Sequence, residues 1–320
     1  MGIIDRLKAN KENLSGNLSL NIPEFWNVSP KSFSLNLKEK GEEQNFEFEV
    51  KPPSKAAEVF INPVVQIDNN KYTDELVEID YNHIPFQSVV MPSEAKLVRL
   101  TIEKKGQIIG YIQGAGDAVP TALRQMGYTV VELNEDDITP GKLENFDAVI
   151  LGIRAYNTND RAKFYQKFLH SYVENGGTLI VQYNTSRGLK VDKVAPYHLK
   201  LSNDRVTEED AEVRMINPAH ELLNFPNKIT DKDFEGWVQE RGLYFPSEWD
   251  PKFEAILSMN DKNEAESKGS LLVAKYGKGN FIYTGLSFFR ELPAGVSGAY
   301  KLFANMLSIG KNKSEKPLKN

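Results

Sequence analysis

Gln107-Ile108-Ile109-Gly110-Tyr111-Ile112-Gln113-Gly114-Ala115-Gly116-Asp117 is the stretch whose reading decides the fold. A continuous apolar run ends in Gly-Ala-Gly and passes into a helix-compatible segment, Ala118 to Met126. That is a βα unit, with a strand buried on both faces. Thr129 to Leu133 gives a second strand, Phe146 to Gly152 a third, and Thr178 to Tyr183 a fourth. Between the last two, Asp160 to Glu174 sets Phe164, Phe168, Leu169 and Tyr172 at helical spacing, and Gly176-Gly177 stops the helix. Strands alternating with helices require crossover connections, so a mostly parallel sheet is expected. Farther on, short strands are predicted around Val213, Leu243, Phe253 to Ser258, Leu271 to Tyr276 and Asn280 to Gly285. A final helix, Ser297 to Leu307, turns Tyr300, Leu302, Phe303 and Met306 to one face.

Upstream of Gly106 the pattern has period two. Phe33, Leu35 and Leu37, then Phe46, Phe48 and Val50, then Val59 and Ile61 alternate with polar residues, and Ser29-Pro30, Lys40-Gly41 and Pro52-Pro53 break the runs. Strands with one buried face predict an antiparallel, all-β Ig-like sandwich over residues 17–106. The α/β domain then covers 107–310. Residues 1–16 are expected as a linker. Residues 311–320, with four lysines and a proline, are expected as a disordered tail.

With 40% hydrophobic and 26% charged residues, the chain has the composition of a folded globular protein, and its 320 residues exceed the usual single domain. A net charge of -5 offers no general attraction to phosphate backbones or anionic headgroups, so nucleic-acid binding is not expected. No apolar run reaches the length of a membrane span. The opening Met1-Gly2-Ile3-Ile4 has no basic region followed by a long apolar stretch, so no signal peptide is read there. The absence of cysteine excludes disulfides, thiolate metal sites and thiol nucleophiles. The four histidines show no pairing at metal-ligand spacing, and no cofactor is expected. Val119 and Pro120 follow the Gly114-Ala115-Gly116 turn where a dinucleotide fingerprint needs its third glycine, which argues against nucleotide binding.

In an open α/β sheet, ligands sit outside the carboxyl ends of the strands. Four segments lie there: Gly114 to Asp117, Arg154 to Asn157, Tyr183 to Arg187 and Ser287 to Glu291. They supply Asp117, Arg154, Tyr156, Asn157, Tyr183, Asn184, Arg187 and Arg290, a set suited to a polar ligand. A late group of aromatics, Trp237, Tyr244, Phe245 and Trp249, stands close to Glu240 and Arg241 and could stack on sugar rings, although clustered aromatics more often build core.

Certain stretches resemble the region that follows the catalytic domain in long bacterial PIG-L/LmbE-type deacetylases. They are His83-Ile84-Pro85, Gly110 to Asp117, Gly152-Ile153-Arg154-Ala155-Tyr156-Asn157, and Leu286-Ser287-Phe288-Phe289-Arg290-Glu291-Leu292-Pro293-Ala294-Gly295. Tyr276-Gly277-Lys278-Gly279 leading to Tyr283-Thr284 is similar to ThuA-type domains of the class I glutamine amidotransferase-like kind. The resemblance implies a flavodoxin-like α/β fold, an accessory role in a sugar-processing protein, an upstream deacetylase domain as partner, and a periplasmic or extracellular location, with a cytoplasmic one as the alternative. That family's zinc site needs a His-Pro-Asp-Asp motif. Here the histidines are followed by Ile84, Ser171, Leu199 and Glu221.

An amidotransferase places its nucleophile on the sharp turn after a central strand. Here Leu179 to Gln182 is followed by Tyr183 and Asn184, and neither can form a thioester. Ser186-Arg187-Gly188 falls late on the turn, as a locally bonded serine would. The expected function is therefore a non-catalytic region that binds carbohydrate or positions a deacetylase domain. The alternatives are a hydrolase acting on an amide or glycoside through Asp117 and Glu240, and a purely structural interaction module.

Overall fold

The computed structural model describes residues 2–311, and the expected tail from 312 onward lies outside them. The chain divides into two compact units, one ending at Thr101 and the other starting at Ile102.

The first unit is all β. Its strands are β1 (Gly2–Lys8), β2 (Leu14–Asn21), β3 (Asn27–Ser29), β4 (Ser32–Leu37), β5 (Glu43–Lys51), β6 (Ala57–Ile67), β7 (Asn70–Tyr72), β8 (Asp74–Ile79), β9 (Gln87–Pro92) and β10 (Ala95–Arg99). They form antiparallel sheets ordered β1-β5-β3 and β10-β6-β2-β4, with β7 added to β6. In β5, Phe46, Phe48 and Val50 are buried while Glu47, Glu49 and Lys51 are exposed, which is the pleat expressed as sequence. These three meet Leu18, Leu35, Ile61 and Leu97 of the larger sheet, with Trp26 and Val28, in one core.

Residues 2–8, expected within a linker, are instead paired residue by residue with Glu43 to Glu49. Ile3 and Leu7 pack on the core, but Asp5 takes the position between them on that face of the strand and Ile4 directly follows Ile3, so the alternation there is short and broken. A separate hairpin, β8 with β9, leaves Leu76, Val89 and Val90 at 59%, 46% and 68% exposure.

The second unit contains β11 (Ile108–Ile112), α1 (Val119–Gln125), β12 (Thr129–Glu132), α2 (Pro140–Leu143), β13 (Ala148–Leu151), α3 (Ala155–Thr158), α4 (Ala162–Glu174) and β14 (Thr178–Gln182). There follow β15 (Leu199–Val206), β16 (Val213–Met215), α5 (Glu221–Asn224), β17 (Gly242–Trp249), β18 (Phe253–Ala255), β19 (Leu257–Met259), β20 (Leu271–Tyr276), β21 (Gly279–Thr284), α6 (Phe288–Glu291) and α7 (Ser297–Ser308). The main sheet runs β12-β11-β13-β14-β21-β20-β18. Its first five strands are parallel, whereas β20 and β18 are antiparallel to their neighbours, so the sheet is mixed.

The strand order reverses between β11 and β13, because β12 lies on one side of β11 and the later strands on the other. β13, β14 and β21 are buried at every position, as strands covered on both faces must be. β15, which no clear alternation announces, pairs with β17 through several register shifts that interrupt its period. The second unit begins ahead of Gly106 because the Glu103 and Lys105 amides donate to Asn227 Oδ1 and Ser308 Oγ. Among the described residues no helix is long and apolar enough to cross a membrane.

Candidate functional site

The turns after β11, β13, β14 and β21 lie at the carboxyl end of the parallel strands. Gly114, in the first turn, has the Ile153 carbonyl and the Ala155 amide against it. A Cβ there would stand 2.0 Å from the one and 2.7 Å from the other. This glycine lets two turns touch, which is a packing role and not a phosphate cradle. Glu132, where a ribose-binding acid would stand, is bonded by Arg124 and Gln113.

Asp117 is fully engaged. Its carboxylate accepts from the Tyr111 hydroxyl at 2.6 and 2.7 Å, from the Val119 amide at 3.0 Å and from the Ile153 amide at 3.2 Å. The side chain expected at the ligand thus braces the turn leading into α1, whose N-cap is Ala118, and ties β11 to the β13 turn. Tyr111 is itself fully buried, and burial and then the Asp117 charge push its phenol far above its ordinary value.

Asn157 and Asn184 are also committed to the framework. Asn157 Nδ2 donates to the Thr185 and Arg187 carbonyls, and its Oδ1 accepts from the Thr185 amide. Asn184, wholly buried, accepts from the Tyr156 amide and donates to the Gln182 carbonyl. Tyr156 is at 0% exposure and packs in the core, so it lines no crevice. Ser186 Oγ donates to Asn203 Oδ1 at 2.8 Å, a local tether.

Arg241 is buried as well. Its guanidinium donates to the Ala211 and Phe234 carbonyls and lies over the Trp237 ring. It lines a cavity of about 650 Å³ together with Glu212, Arg214, Asp231 and Trp237, a lining that shares Trp237 with the late aromatic group and includes none of the strand-end residues. Of the late aromatics, Trp237 and Phe245 are core, and Trp249 packs on the core. Burial pulls the arginine's affinity for its proton down.

What remains gathers at Tyr183. This ring lies 5.8 Å from the Tyr244 ring at an interplanar angle of 15°, and 5.4 Å from Phe289, tilted. Tyr244 and Phe289 are half-buried. Burial raises the Tyr183 phenol, Arg154 lowers it, Glu240 and Tyr244 raise it, and Arg290 lowers it, so these charges all act on one ring. Arg290 Nε pairs with Glu240 Oε1 at 2.8 Å. Arg154 is exposed and has no ion-pair partner among the described residues, and the same holds for Arg187. Tyr244 stood among the aromatics expected to stack on sugar rings and Phe289 within the strand-end segment Ser287 to Glu291, but neither was tied to Tyr183, since only the fold brings β17 and α6 beside the end of β14.

Two residues at this cluster have left-handed backbones, Arg154 with φ 58 and Tyr244 with φ 54. Non-glycine residues adopt that region at a cost of about 1–2 kcal/mol, and they keep it where the surroundings over-determine it. At Arg154 the surroundings are hydrogen bonds from its amide to the Tyr183 carbonyl and from the Asn157 and Thr158 amides to its own carbonyl.

Glu291 is the other group that sequence reasoning did not single out. It is at 0% exposure, one carboxylate oxygen accepts from the Val238 amide at 3.0 Å, and Oε1 has no partner. Desolvation raises its pKa to about 8, with the Val238 bond and Arg241 opposing. A carboxyl holding its proton near neutrality suits acid-base work, but this one is sealed from any solvent-borne substrate. Among the described residues no three histidine or acidic side chains gather as a metal site. His220 begins α5 by accepting from the Leu222 amide at 3.1 Å.

No family model matches the sequence, and no curated protein matches it. Solved structures with a similar course of chain include a GMP synthase component from Thermoplasma acidophilum. It is 10% identical, with 64% of this chain and 94% of that one covered at a TM-score of 0.42. A ThuA-like protein from Bacteroides uniformis is 12% identical over 65% of this chain and 92% of that one, at 0.41. A β-galactosidase from Rahnella is 16% identical over 63% of this chain but only 31% of that one, at 0.40. The class of the second unit is set by its own topology: an open α/β sheet, parallel at the centre and antiparallel at one edge.

Proposed function

We propose that this chain is a non-catalytic carbohydrate-binding region built on an amidotransferase-like α/β domain, with an Ig-like unit before it. Its role would be accessory to a deacetylase domain of the PIG-L type, as the sequence resemblance implies. One observation carries the binding reading: the near-parallel Tyr183 and Tyr244 rings at the carboxyl ends of the strands, where Arg154, exposed and without an ion-pair partner among the described residues, is joined to Tyr183 by the bond from its amide to the Tyr183 carbonyl. Sugar rings present apolar C–H faces edged by hydroxyls, and they are held by aromatic surfaces with polar groups alongside.

The non-catalytic part of the reading is supported by the lack of a thiol nucleophile. The chain has no cysteine, and the turn after β14 carries Tyr183 and the fully bonded Asn184. Of the two carboxylates considered for hydrolysis, Asp117 already accepts hydrogen bonds from three groups and Glu240 is paired with Arg290.

Calorimetric titration with a panel of neutral, N-acetylated and acidic mono- and oligosaccharides tests the reading. Arg154→Ala and Tyr244→Ala should each weaken a binding member of the panel tenfold or more, equivalent to about 1.4 kcal/mol. Affinity unchanged in both variants would remove this cluster from the binding site.

A further inference from the structure

We infer that the hairpin of β8 and β9 is a docking arm for a basic partner protein, which adds an extended segment of alternating basic and apolar residues to the free edge of β8. The inference stands apart from the saccharide reading, because the hairpin belongs to the first unit. Residues 73–94 hold five carboxylates, Asp74, Glu75, Glu78, Asp80 and Glu94, and no lysine or arginine. The whole chain has 44 acidic residues against 39 lysines and arginines, so the 39 acids outside this segment are matched in number and the net charge of -5 lies on the hairpin. The ion pairs of the first unit join Arg6 and Lys8 to Glu43, Lys51 to Glu49 and Lys96 to Glu58, and none of the five carboxylates has one among the described residues.

The same hairpin is apolar as well as acidic. Leu76 and Val90 face each other across the strands, and together with Val89 and Met91 of β9 and Tyr81 and Phe86 of the connecting turn they are 45 to 68% exposed. With roughly 150–250 Å² on a whole aromatic side chain and somewhat less on an aliphatic one, these six leave on the order of 600 Å² uncovered. Each partner in a standard interface contributes about 800 Å². β8 and β9 pair only with each other, so among the described residues the outer edge of β8 presents open main-chain donors and acceptors. An isolated two-stranded ribbon is marginal in water and gains from a third strand. Side chains alternate across the pleat, which puts Asp74, Leu76 and Glu78 on one face. An antiparallel strand laid along β8 meets them best with a basic, an apolar and a basic residue at every second position. Charge decides against the other occupants: a second copy would oppose five carboxylates with five more, and an anionic membrane or a nucleic acid would be repelled.

Three fluorescent peptides, each a disulfide-closed hairpin, test the inference. One carries the strand Lys-Thr-Ile-Thr-Lys, the second the same residues as Lys-Lys-Thr-Thr-Ile, and the third has glutamate for each lysine of the first. In anisotropy titrations with the full chain, the alternating basic peptide should bind at least tenfold more tightly than either control, and the difference should shrink at high salt. Leu76→Ser should weaken that binding at least tenfold while the chain unfolds at a nearly unchanged denaturant concentration. Asp74→Lys combined with Glu78→Lys should turn the preference over to the acidic peptide, which an apolar surface without charge selection would not do. Hydrogen exchange of the amides from Asp74 to Ile79 should slow in the complex, as strand addition requires. Equal binding of the three peptides, or binding of none, would overturn the inference. Self-association of the unaltered chain that Leu76→Ser abolishes would also overturn it, since the arm would then meet its own copy, and so would capture by phosphatidylcholine vesicles that Leu76→Ser prevents.

Discussion

Replacing Glu291 with glutamine should make the second unit more stable relative to the unaltered protein as the pH rises. The carboxyl sits at 0% exposure with its pKa lifted from 4.5 to about 8 by desolvation. A folded-state value above the unfolded one means that the folded chain binds the proton more readily. Its contribution to stability is therefore fully present below pH 4.5, and it is lost as the pH climbs through about 8. At neutral pH the accumulated cost is on the order of 1–3 kcal/mol, taking 1.36 kcal/mol per pH unit and allowing for the nearby arginines.

Glutamine keeps an oxygen for the Val238 amide but adds an amide group where Oε1 has no partner, a penalty that does not vary with pH. The quantity to follow is therefore the slope and not the absolute stability. Urea unfolding at pH 5, 7 and 8.5 would measure it in a Trp26→Phe background, where fluorescence reports Trp237 and Trp249 of the second unit. The advantage of Glu291→Gln over its parent should grow by about 2 kcal/mol across that range. A difference that stays constant with pH would show that the carboxyl is ionised in the folded state and would refute the desolvation argument.

Gly114→Ala forces a Cβ to 2.0 Å from the Ile153 carbonyl, backbone against backbone, and should lower the melting temperature of the second unit by several degrees in calorimetry. Arg154→Gly relieves a left-handed arginine. Differential scanning calorimetry should show stability unchanged or raised by up to about 1 kcal/mol, while saccharide binding falls, as when strain is kept for function. Leu18→Ala, at a fully buried position, should destabilise the first unit by about 2–5 kcal/mol in denaturant titration. Leu76→Ser, on the exposed hairpin, should stay within about 0.5 kcal/mol.

Local pattern carried much of the fold. The alternation at Phe46, Phe48 and Val50, the apolar runs that became β11, β13 and β14, and the glycines closing α4 are statements about neighbours in the chain, and period and turn chemistry are local properties. The first strand, Gly2–Lys8, and the irregular β15 escaped because a few apolar residues among polar ones, or a register broken by bulges, weaken that period.

For the candidate site, sequence determined the roster at the strand ends and the lack of sulfur, because a strand's end fixes where the next few Cα atoms stand. It could not determine which side chains are already spent. Asp117, Asn157, Asn184 and Arg241 form their hydrogen bonds largely with groups distant in the chain, and Tyr156 turns into the core. Tyr244 and Phe289 reach Tyr183 from far along the chain because β17 and β21 return to the end of β14, and only tertiary packing makes such neighbours. The absence of a thiol is a fact of composition, but which arginine at the strand ends is paired, Arg290 with Glu240, and which have no ion-pair partner among the described residues, Arg154 and Arg187, is decided only in the folded chain.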